Sequence, residues 1–101
     1  MAGTNLIYID VAAANSDVSK LRNAIARLEE SESSIKKLSA NAGSMTGQTG
    51  QAITEKCSAL SSQINTLKGN LNTTIRLIQA AIKEYRQKDQ ELAAAIKNGG
   101  V

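Results

Sequence analysis

The sequence predicts an all-α protein: an antiparallel helix-turn-helix hairpin that assembles into a four-helix bundle. Three observations lead there. Apolar residues recur by threes and fours over two long segments, one glycine-rich stretch interrupts them, and the 101 residues include no proline.

The first helix is expected over about residues 11–41. Its apolar positions run Val11, Ala14, Val18, Leu21, Ile25, Leu28 and, past the polar Glu32, Ile35, Leu38 and Ala42, which places one stripe along one side of a helix. Asp10 precedes the stripe as the expected N-cap, its carboxylate able to accept from backbone N–H groups that the first turn leaves without partners. The upstream run Leu6-Ile7-Tyr8-Ile9 is rich in β-branched and aromatic side chains and reads as a short extended arm, or as a hydrophobic staple over the start of this helix.

The turn is expected at about residues 42–50, where three of the seven glycines fall within an uncharged stretch. A second helix follows over about 51–97. Its stripe is read as Ile53, Cys57, Leu60, Ile64, Leu67, Leu71, Thr74, Ile78, Ile82, Tyr85, Asp89, Leu92 and Ile96, before Asn98-Gly99-Gly100 ends it. At about 1.5 Å per residue the helices would span roughly 45 and 70 Å, so the last four or five turns of the second would project beyond the first.

Composition argues against chemistry. His, Trp and Phe are absent, which removes the commonest general base and transition-metal ligand, and no phosphate-binding loop, paired carboxylates or metal-ligand spacing is present. No cofactor and no enzymatic activity are expected. The formal charge of +3 is spread as mixed signs, and with Tyr8 and Tyr85 as the only aromatics the chain has no stacking platform for single-stranded nucleic acid. Cys57, the single cysteine, falls in the apolar stripe and reads as a small core residue. The opening residues lack a basic segment followed by a long apolar run, so neither a cleavable signal peptide nor membrane insertion is expected. The expected location is secreted without a signal peptide, or cytoplasmic before export.

At this length, Ile7-Tyr8-Ile9-Asp10 before an alanine-rich helix, the central Ser44-Met45-Thr46-Gly47 before a second apolar helix, and the tail Tyr85-Arg86-Gln87-Lys88-Asp89 together resemble the WXG superfamily. These are the ESAT-like helical-hairpin proteins of type VII secretion. The resemblance spans nearly the whole chain and sets Met45-Thr46-Gly47 at the family's Trp-x-Gly turn, where Met in place of Trp departs from the core pattern and points to the wider group of divergent relatives, which includes small helical partners of the targeting domains of LXG toxins. It implies a secreted substrate or targeting partner acting by helix–helix binding. Its partners would be itself, a related helical protein or an LXG targeting domain, and the secretion-machinery ATPase. It also implies that Tyr85 and Asp89, four residues apart on one helix face, form part of an export signal.

The packing interface is expected at Val18, Leu21, Ile25, Leu28 and Ile35 of the first helix and Ile53, Leu60, Ile64, Leu67, Leu71, Ile78 and Ile82 of the second, such that Leu67→Asp would unfold or dissociate the bundle. Ile75 and Leu77 lie beside that stripe, and one hairpin has too little surface to cover them all. An oligomer is therefore expected over a monomeric hairpin with a wide core. The same helices would also serve a cytoplasmic coiled-coil adaptor, which shares every structural expectation, or a filament subunit, for which the sequence shows no separate polymerising element.

Overall fold

In a computed structural model of the chain, residues 9–98 are described. They form two helices, α1 (Val11–Gly43) and α2 (Gln48–Asn98), folded back on each other into a hairpin 80 Å long and 21 by 15 Å across. Leu6, Ile7 and Tyr8 of the expected N-terminal arm lie outside the described residues. Ile9 is half-buried.

Asp10 caps α1: the Ala13 N–H donates to Asp10 Oδ1 at 3.0 Å, and the Ala14 N–H to the Asp10 carbonyl at 2.9 Å. The first bond satisfies a donor that a helix start otherwise leaves to water, and the second is the first regular bond of the helix. At the other end α1 tightens into three-residue steps. The N–H groups of Ser44 and Met45 donate to the carbonyls of Asn41 and Ala42 at 3.2 and 3.0 Å, and the Ser44 hydroxyl reinforces the first at 2.7 Å.

The link between the helices is residues 44–47, shorter than the glycine-rich stretch 42–50, because helix continues into that stretch from both sides. Two glycines make so short a link possible, in different ways. Gly47 has φ of +91°, a conformation that side chains with a Cβ rarely adopt. Gly50 sits inside α2 where the two helices cross, and a Cβ there would lie 2.8 Å from the Met45 carbonyl oxygen and 2.9 Å from that of Ala42. The backbones approach that closely because position 50 carries no side chain.

The core is one stripe. Val18 and Ala42 of α1 and Gly50, Cys57, Ile75 and Ile82 of α2 are buried, while Leu21, Ile25, Leu28, Ile35, Ile53, Ile64, Leu71, Ile78 and Tyr85 are half-buried along the same line. Two helices can shield only their facing sides, so most apolar residues keep part of their surface in water.

A candidate helix-packing interface

The α2 side chains facing α1 follow a regular alternation of fours and threes: Cys57, Ser61, Ile64, Lys68, Leu71, Ile75, Ile78, Ile82, Tyr85. This corrects the stripe expected from sequence at three positions. Leu60, Leu67 and Thr74 give way to their immediate neighbours Ser61, Lys68 and Ile75. A step of one residue rotates about 100° around the helix, and Leu60 and Leu67 are left 45% and 46% exposed. On α1 the same shift moves Leu38 out, to 52% exposed, and Ser39 in. The remaining expected interface residues, Val18, Leu21, Ile25, Leu28, Ile35, Ile53, Ile64, Leu71, Ile78 and Ile82, lie on the seam, buried or half-buried.

The physical reason for the shift lies on both helices. Ile75 is a β-branched side chain that reaches burial only if α2 turns this edge inward. The rotation also brings Lys68 opposite Glu32, where its Nζ donates to Glu32 Oε1 at 3.1 Å. Thr74, rotated outward, returns its hydroxyl to the Asn70 carbonyl at 3.0 Å, as Thr73 does to Gly69, so leaving the seam costs Thr74 no hydrogen bond. Sequence spacing alone missed the Glu32–Lys68 pair. Its signal was a charged residue at a seam-compatible position on each helix.

Of the displaced leucines, Leu67 borders a shallow groove along one side of the hairpin. Its floor includes Ala24 and Leu28 of α1 and Leu67 and Leu71 of α2, and its α1 rim carries Lys20 and Arg27. Leu60, seven residues before Leu67, and Leu38, eleven after Arg27, continue the apolar line toward the turn by helical spacing.

At the turn, Met45-Thr46-Gly47 functions through its backbone. The Met45 side chain is 55% exposed and does not plug the end of the helical layer; its main chain is what Gly50 packs against. At the opposite end, Tyr85 is half-buried where the seam stops, Asp89 is exposed, and every residue from 86 to 98 is exposed, a stretch of roughly 20 Å at helical rise. Leu92 and Ile96 there are 49% and 55% exposed.

Cys57 is buried in the seam as a free thiol. Among the described residues no group of three or more Cys, Asp or Glu side chains is placed to hold a metal ion, and no helix is long and apolar enough to cross a membrane. Comparison with family models, curated proteins and solved structures returned no match to this chain.

Proposed function

We propose that this protein works by helix–helix recognition, with no bond made or broken, as a secreted substrate or targeting partner of a type VII secretion system. The hairpin pairs with a second copy, a related helical protein or the helical targeting domain of an LXG toxin to complete a four-helix bundle. The projecting end of α2 then offers Tyr85 and Asp89 to the secretion ATPase.

The observation that carries the recognition part is the half-exposed leucine edge, Leu38, Leu60 and Leu67, beside a seam only one stripe wide. Burying a leucine contributes on the order of 1.5–3 kcal/mol, while ordering the backbone costs about 1–2 kcal/mol per residue, so covering this edge supplies stabilisation that a lone hairpin lacks. The secretion part rests on the resemblance of the hairpin, its Met45-Thr46-Gly47 turn and its Tyr85-to-Asp89 tail to the WXG superfamily.

The test is export from the native host with and without its type VII ATPase. ATPase-dependent release into the medium is the expected result. Equal release, or complete retention, in both strains would overturn the secretion reading.

A further inference from the structure

The contact between Glu32 and Lys68 fixes how the helices face each other. In an antiparallel pair, seven residues up one helix meet seven down the other, which sets Ser39 opposite Ser61, Ile25 opposite Ile75 and Val18 opposite Ile82. The two of these four layers nearer the turn are polar, Glu32 with Lys68 and Ser39 with Ser61, and all four side chains are half-buried.

Leucine stands one residue before three of those four positions: Leu38 before Ser39, Leu60 before Ser61, Leu67 before Lys68. Each is close to half exposed. The two layers toward the other end leave no comparable residue out, because Ala24, Thr74, Asp17 and Ala81 precede Ile25, Ile75, Val18 and Ile82. The half of the hairpin near the turn therefore has two ways to fill its seam, one with the leucines and the other with the charge pair and the serines. Both keep Leu28, Ile35, Cys57, Ile64 and Leu71 inside, and they differ by a turn of each helix about its own axis of roughly 50°, half a residue step. Room for that turn exists, since the groove between Leu67 and α1 is open.

Burial alone favours the leucines. Turning α2 that way gives up Ile75, buried only in the observed setting, but three half-exposed leucines outweigh one isoleucine. Against them stands the ion pair, which the turn would break by carrying Lys68 away from Glu32.

We infer that the Glu32–Lys68 pair is a latch: it holds the helices in the setting that keeps Leu38, Leu60 and Leu67 on the surface, and without it they turn to bury all three in the seam. The latch thereby decides whether the leucine edge is open to another helix, and a partner that covers the edge stabilises the latched setting by mass action. The inference concerns the hairpin alone and is independent of export.

Thiol alkylation of the full-length chain tests it. Ser39→Cys and Ser61→Cys, each made with Cys57→Ala, place one reporter in a layer that is shielded only while the latch holds. Native Cys57, a seam residue in both settings, reports opening of the hairpin. The latch is broken by Lys68→Glu, which sets like charges face to face, and without repulsion by Glu32→Leu. Either is expected to speed alkylation at both reporters about fivefold while Cys57 stays slow, and the exchanged pair Glu32→Lys, Lys68→Glu is expected to return the reporters to their original rates. Unchanged reporter rates in Glu32→Leu, or no recovery in the exchanged pair, overturns the inference. So does a rise at Cys57 in step with the reporters, because the pair then holds the hairpin shut and chooses between no settings. Each of these results leaves the ATPase-dependent export experiment untouched, so the two readings fail separately.

Discussion

Lys68 Nζ lies 3.1 Å from Glu32 Oε1, and the two side chains, 19% and 16% exposed, occupy facing seam positions 36 residues apart in sequence. A charged pair so placed is surrounded above and below by Leu28, Ile35, Ile64 and Leu71, all half-buried. Removing one partner leaves the other charge partly desolvated without its counter-ion. Glu32→Ala and Lys68→Ala are each expected to destabilise the hairpin by about 1–2 kcal/mol, with a coupling of about 0.5–1 kcal/mol in a double-mutant cycle read by urea denaturation. Replacing both by leucine is expected to recover most of the loss, because the desolvation cost disappears with the charges.

A second set of substitutions separates the seam from the edge beside it. Ile75→Ala and Ile82→Ala remove side chains only 5% and 6% exposed and are expected to cost about 2–4 kcal/mol each. Leu60→Ala and Leu67→Ala, at nearly half exposure, are expected to cost under about 1 kcal/mol in the isolated chain. Leu67→Asp is accordingly expected to leave the hairpin folded and to abolish the proposed helix–helix pairing. Thermal denaturation of the four alanine variants checks the order. An equal loss at Leu67 and Ile75 would mean that α2 is rotated from the orientation described.

The division between those two edges marks how far the sequence is legible. The spacing of apolar residues identifies two helices and the side each one buries, because a 3.6-residue period is a local property of the chain. Choosing between Leu60, Leu67 and Thr74 on one edge and Ser61, Lys68 and Ile75 on the other is not local. Both edges share Cys57, Ile64, Leu71 and Ile78, and on hydropathy alone the leucine edge wins over one containing a lysine. The choice depends on what α1 places opposite, above all Glu32, and that juxtaposition exists only once the chain has folded. The turn misleads for a related reason. Met45 is the large apolar residue there, yet the close contact is between its backbone and a glycine, and the absence of a side chain at position 50 carries no hydropathy signal.

Glycines provide a third prediction, with opposite signs at different positions. Gly50→Ala sets a Cβ within 2.9 Å of two carbonyl oxygens, neither of which can move without opening the turn, and is expected to cost about 1–3 kcal/mol. Gly47→Ala must hold φ near +91° and is expected to cost about 1 kcal/mol. Gly69, in the middle of α2 and with nothing within 4 Å of the site of a new Cβ, behaves differently. Gly69→Ala is expected to stabilise by about 0.5–1 kcal/mol through helix propensity. Urea midpoints of the three variants, measured at equal helicity, test all three signs at once.

Tyr85 and Asp89 share a helix face but differ in what their loss would do to the fold, and a test of the proposed export signal has to separate the two effects. Tyr85 is half-buried at the last covered position of the seam, so Tyr85→Ala removes packing as well as a hydroxyl, and reduced export of that variant would follow from a frayed helix end alone. Asp89 is exposed, and its replacement leaves the seam unaltered. Asp89→Asn is therefore expected to keep the thermal midpoint within about 1 °C of the wild type while lowering ATPase-dependent export at least tenfold. Tyr85→Phe, which keeps the ring, serves as its companion. Full export of Asp89→Asn would remove the carboxylate from the signal. Full export of Tyr85→Phe together with loss in Tyr85→Ala at unchanged thermal midpoint would assign recognition to the ring, and loss only in a variant whose midpoint falls would assign Tyr85 to packing.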